Sequence, residues 1–142
     1  MFVRPGLDDG SGAAVPTRQI MKPARSLRSS ASFERFVLDQ LSDLGEVSSR
    51  KMFGGVGLYA DGVFFGIIAR DALYLKVDAH TRGAYERAGM LPFTPFPGRP
   101  TSMGYYGVPV EVLESGMELT RWARDAVKVA MRARAGRRGG SA

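Results

Sequence analysis

The sequence predicts an α+β domain of two layers, an antiparallel sheet in meander order with flanking helices, in the order α-β-β-β-β-α-β-α. Three observations lead there. Amphipathic helical stretches stand near both ends of the chain, around Phe33 to Leu44 and around Leu119 to Met131. Between them, extended runs are joined by turns too short for a crossover, so neighbouring strands must run antiparallel. The 142 residues, 44% hydrophobic and 10% aromatic, suffice for one core and exclude a second large domain.

Residues 1 to 30 are rich in Gly, Pro, Ser and Ala without a sustained period, and are expected to form a flexible basic tail. Met21 within it is a candidate alternative start site. The domain proper is expected over residues 31 to 133. Ser32 is the candidate N-cap of a first helix whose apolar residues Phe33, Phe36, Val37, Leu41 and Leu44 share one face, with Gly45 as its left-handed stop. Val47 to Phe53 turns extended, and Gly54, Gly55 and Gly57 allow a sharp bend or bulge. Val56 to Ala60 and Val63 to Ala69 flank Asp61-Gly62, a pair suited to the positive φ angles of a type I′ hairpin turn. A second tight turn at Arg70-Asp71 leads into Ala72 to Val77. Asp78 then caps a short helix over Ala79 to Ala88 that Gly89 ends.

Four prolines between Pro92 and Pro100 bar that stretch from a central strand and make it a loop or an edge. Thr101 to Val108 alternates as a further strand. Ser115 and Glu118 form a capping box before a long helix with a stripe of Leu119, Trp122, Ala123, Ala126, Val127, Ala130 and Met131. Residues 134 to 142 are expected to be a frayed basic tail.

Net charge is +6, with 20 Lys and Arg against 14 Asp and Glu. The excess sits at the ends. Residues 1 to 30 carry five basic and two acidic side chains, and residues 121 to 142 carry seven basic against Asp125 alone. The middle keeps eight basic and eleven acidic side chains, a net of −3. Arg121, Arg124, Lys128 and Arg132 fall mostly opposite the Trp122 stripe and are candidate anion contacts.

Cysteine is absent and His80 is the only histidine. That excludes disulfides, thiol chemistry and any zinc site needing several Cys or His ligands. No cofactor or metal is expected. No apolar run approaches the ~20 residues of a membrane span, and no secretory signal is evident, so a cytoplasmic protein is expected. The glycines at 54, 55 and 57 precede a strand rather than a helix, and no Lys-Ser or Lys-Thr pair follows, so a phosphate loop is disfavoured. His80 lacks a nearby nucleophile and orienting partner suited to catalysis. The acids Asp61, Asp71 and Asp78 sit at turns and caps, where their side chains serve the backbone. The aromatic residues of the strands suit core and interface packing better than a base-stacking platform.

Arg50-Lys51-Met52-Phe53-Gly54-Gly55-Val56-Gly57-Leu58-Tyr59, then Asp61-Gly62, Phe64 and Leu73-Tyr74-Leu75-Lys76, resemble the N-terminal domain of the TfoX/Sxy family. Pro92-Phe93, Met103-Gly104-Tyr105-Tyr106, Val108-Pro109 and Trp122-Ala123 extend the likeness over roughly residues 33 to 131. The resemblance implies a secretion-chaperone-like two-layer α+β fold. It also implies a non-enzymatic role near transcription regulation, since the family is named for competence regulators that act with a cyclic-AMP receptor-type activator. The full-length regulators add a C-terminal helical domain, so a stand-alone N-terminal domain with an adaptor or accessory role is expected here.

Candidate interaction residues are Arg50, Lys51, Met52, Phe53, Gly54, Gly55, Tyr105, Tyr106 and Trp122. The leading expectation is a protein partner, with the transcription machinery as one candidate and a homodimer through a sheet edge or the Trp122 helix as one form. A nucleic-acid-binding module using the basic tails and final helix is the alternative. A small ligand-binding protein or enzyme is a second.

Overall fold

The computed structural model describes residues 27–52, 54–95 and 102–140. Phe53, Pro97, Pro100 and residues 1 to 26 lie outside the described residues. Along the chain run α1 (Ala31–Gln40), a 3-10 turn (Ser42–Leu44), β1 (Val47–Met52), β2 (Gly55–Ala60), β3 (Val63–Ala69), β4 (Ala72–Lys76) and α2 (Arg82–Arg87). β5 (Pro92–Phe93), β6 (Ser102–Gly107), α3 (Val110–Leu113) and α4 (Gly116–Gly140) follow. The expected α+β architecture is present, with two short elements, β5 and α3, added to the expected order.

The six strands form one open antiparallel sheet in the order β1-β2-β3-β4-β6-β5. Its meander rests on two turns of left-handed backbone. Asp61 and Gly62 take φ of 50° and 80°, and Arg70 and Asp71 take 52° and 58°, the signs that a two-residue hairpin turn needs. After α2 the chain returns as β6 beside β4, pairing Leu75 with Tyr106 and Lys76 with Tyr105. That return leaves β1 and the two-residue β5 at the edges.

One face of the sheet carries the main core. Leu58, Phe65, Ile68 and Leu75 are fully buried there, packed beneath α1 and α4. Full burial of such side chains is worth about 1.5–3 kcal/mol each. α4 presents Leu119, Ala123, Ala126 and Ala130 to this face, and the alanines let the helix lie close to the strands. Val129 is buried while Met131 is 54% exposed, so the apolar stripe ends differently from expectation. Val129 lies two turns after Trp122 and continues its side of the helix; Met131 has rotated outward.

Several local expectations are corrected. Ser30 rather than Ser32 caps α1: its extended backbone lets Oγ accept the Phe33 amide at 3.1 Å, whereas Ser32 is already inside the helix. Gly45 does not stop α1, which ends at Gln40. It turns the chain into β1 with φ 112° and ψ −149°, a conformation that requires glycine. The short helix begins at Arg82, not Ala79, because the Asp78 carboxylate accepts the His80 and Thr81 amides and holds those residues in a turn.

Residues 27 to 30, expected in the N-terminal tail, pack onto the sheet. Leu27 is 3% exposed, its carbonyl accepts the Arg70 amide, and Ser29 and Ser30 bond to Asp71 across 2.7–2.8 Å. At the other end, α4 continues through Gly140 where fraying was expected from Arg134.

Candidate interaction surfaces

β1 has the pattern of an open edge. Among the described residues it pairs with β2 alone, in a register running from Val47 opposite Ala60 to Met52 opposite Gly55. Ser48, Ser49, Arg50 and Lys51 are all exposed. Alternation sends Arg50 and Lys51 to opposite faces, so the edge is cationic on both. Its two half-buried ends, Val47 against the main core and Met52 over Gly57, are its apolar contacts. Its position is also set by the corner that follows.

That corner is made by Gly54 and Gly55. Gly54 takes φ 87°. A Cβ on Gly55 would lie 2.7 Å from the Ile68 carbonyl oxygen and 3.1 Å from Leu27 Cβ, so only glycine admits this approach of three chain segments. Phe53, between them and β1, lies outside the described residues.

Behind the edge, the face away from the main core carries a row of rings. The Arg50 guanidinium stands 5.3 Å from the Tyr59 ring centroid; Tyr59 meets Phe64 at 5.1 Å, and Phe64 meets Tyr105 at 5.7 Å. The Lys76 ammonium closes the row 4.8 Å from Tyr105. Gly57 forms its floor, since a Cβ there would come within about 3 Å of both Met52 and Phe64. The rings are half-buried, and each cation is placed where the ring quadrupole attracts it.

The expected site residues therefore divide. Arg50, Lys51, Met52, Gly54, Gly55 and Tyr105 gather at β1 and the ring row. Tyr106 turns to the opposite face, is 3% exposed and donates to Glu86 at 2.8 Å, a bond that raises its pKa together with burial and the Glu86 charge. Trp122 is also on that side, edge-on to the buried Tyr85 with centroids 4.7 Å apart. Burial, reinforced by the Asp125 charge, pushes the Tyr85 hydroxyl pKa up.

Of the four candidate anion contacts, three are engaged within the chain. Arg121 pairs with Glu118 at 2.7 Å, Arg124 donates to the Asp43 carbonyl at 3.2 Å, and Arg132 pairs with Asp78 at 2.9 Å. Lys128 is exposed. The Arg132 hydrogen bond, with the His80 and Thr81 amides, brings the Asp78 pKa down to about 2 against the opposing pull of burial. The sequence expectation assigned the strand aromatics, Tyr59 and Phe64 among them, to packing, and left them and Lys76 out of the candidate surface. Their only signal was alternation, which sets the face without showing which strands become neighbours.

Among the described residues, no group of three or more His, Cys, Asp or Glu side chains could hold a metal ion, and no helix is long and apolar enough to cross a membrane. A search of the curated proteins finds no match to this chain. The family model of the TfoX N-terminal domain matches residues 39–130, from the end of α1 through the buried part of α4. It takes in the open edge, the glycine corner, the ring row and Trp122, and the chain belongs to the TfoX N-terminal domain family.

Proposed function

We propose that this chain is a non-enzymatic regulatory or adaptor domain that recognises a protein partner by strand addition at β1. The observation that carries the reading is the edge itself: six residues without proline, exposed at four consecutive positions and paired on one side only among the described residues. An incoming extended segment gains main-chain hydrogen bonds there and is selected by its side chains. Arg50 and Lys51 favour acidic residues at adjacent positions, one for each face. Two copies of β1 pairing edge to edge would instead bring their cations together, so the partner is a different, acidic chain rather than a second copy. Family membership makes a component of transcription regulation the first candidate.

The test is partner capture from native cells with wild-type protein and with the Arg50→Glu, Lys51→Glu double variant, followed by affinity measurement on the purified pair. Loss of affinity by roughly tenfold or more with an unchanged circular dichroism spectrum is expected. A partner held equally by both proteins would sink the edge reading.

The ring row gives one specific reason to keep a second reading, single-stranded nucleic acid, since Tyr59, Phe64 and Tyr105 lie in line between two cations. Fluorescence anisotropy at low salt, with the full chain and with residues 1 to 26 removed, separates the sources. Binding lost with the tail contradicts a platform on the sheet.

A further inference from the structure

We propose that the groove between α2 and α4 binds a small organic anion made of a planar ring bearing a phosphate or carboxylate. The groove lies on the main-core side, apart from β1. Its volume is about 420 Å³, and Lys76, His80, Arg87, Arg121, Trp122 and Asp125 line it. That size falls within the range of about 300–1,000 Å³ usual for small-molecule sites and is too small for a folded partner.

The lining decides the chemistry. Two guanidinium groups, Arg87 and Arg121, face one carboxylate, Asp125, while the Lys76 ammonium lies over Tyr105 on the other face, so the groove keeps an excess of positive charge and favours an anion. The two guanidinium groups suit the paired oxygens of a phosphate or carboxylate. Trp122 supplies a half-buried aromatic wall, backed edge-on by Tyr85 at an interplanar angle of 72°, against which a flat ring can pack. Tyr85 is buried and, like any phenol at neutral pH, uncharged, so it adds no competing negative charge. Arg121 is already paired with Glu118, but both partners are solvent-exposed, and such a pair is worth no more than about 1 kcal/mol, so a bound anion can recruit the guanidinium.

Trp122 is the only tryptophan of the chain, so its emission reports on the groove directly. The full chain is titrated with phenyl phosphate, with phenol and with inorganic phosphate, while amide resonances of residues 76, 80, 81 and 87 are followed by NMR. Phenyl phosphate is expected to give saturable changes in both signals and to bind at least roughly tenfold tighter than either fragment alone. Arg87→Glu is expected to weaken it by roughly tenfold, whereas Lys128→Glu, the same charge change outside the groove, leaves it within about twofold. Inorganic phosphate binding as tightly as phenyl phosphate overturns the proposal, as does an equal loss in both variants. No saturable signal up to about 10 mM, a level that still detects binding of 3 kcal/mol or so, overturns it without any variant. Displacement of phenyl phosphate by an acidic peptide of higher affinity makes the groove a peptide site and likewise overturns it.

Discussion

At one edge of the sheet β5 contributes two residues, begins with Pro92 and buries Phe93; at the other, β1 contributes six residues, none of them proline, and leaves its four central side chains exposed. Around β5, Gly107 donates to the Leu91 carbonyl, Phe93 packs 4.8 Å from Tyr74, and Arg70 donates to the carbonyls of Thr94 and Pro95. Around β1 the two ends are held, Val47 against the core and Met52 over Gly57, while the middle of the strand presents exposed polar and cationic side chains. Short strands and proline close an edge against any partner, whereas cations close it only against partners of like charge. The first edge is finished by the fold, and the second is left open and cationic.

The contrast can be broken most forcefully at the closed side. Phe93→Ala empties a 5% exposed ring site and is expected to cost about 3 kcal/mol or more, read as a lowered urea midpoint with opening of β5 by hydrogen exchange. A neutral result would show that β5 contributes nothing to closing the sheet.

Next comes the corner that carries β1. Gly55→Ala forces a methyl against the Ile68 carbonyl and is expected to cost about 1–3 kcal/mol, with exchange in β1 rising more than in β4. Gly54→Ala, which keeps φ 87° only at a penalty, is expected to cost about 1–2 kcal/mol. Unchanged stability in both would remove the glycine corner as the device that sets the open edge.

A smaller effect distinguishes the halves by pH. The Asp78 carboxyl is depressed in the folded chain, so its contribution is present above its unfolded pKa of about 4 and is lost as pH falls towards about 2. The pair is exposed, so the loss is expected to stay below about 1 kcal/mol and to be smaller in Arg132→Ala, where only the His80 and Thr81 amides still hold the carboxylate. An acid transition identical in wild type and variant would show that this pair does not fasten α4 to the β4 side.

The smallest expected effect sharpens the comparison most. Arg50→Glu with Lys51→Glu is expected to change stability by less than about 0.5 kcal/mol, because both side chains are exposed. Destabilisation well beyond that would make the cations of β1 structural rather than selective.

The turns, the capping serine of α4 and the proline-limited edge could all be read from the chain. Asp61-Gly62 and Arg70-Asp71 encode left-handed turns in adjacent residues, and Ser115 accepts the Glu118 amide at 3.1 Å, which is half of the expected capping box; the Ser115 amide donates to the Val112 carbonyl and Glu118 pairs with Arg121 instead. Local chemistry was less decisive where two candidates stood close together. Ser30 and Ser32 are equally good caps in composition, and the choice fell to Ser30 because Asp71, 41 positions later, anchors its amide. Leu27 gave no periodic signal, since it packs as a single residue against Ile67, Ala69 and Phe93.

The sequence by itself determined the fold class, the order of the long elements, the hairpins and the faces of the strands, because turn chemistry and apolar alternation act within a few residues. Only the tertiary structure decided which strand would be left at the edge, that Arg50 and Lys76 would bracket one row of rings, and that Arg87, Arg121 and Trp122 would line one groove. Those outcomes depend on β6 returning to pair with β4 and on α4 crossing the sheet. Both are contacts between residues tens of positions apart, fixed by burial of the whole core rather than by any local preference.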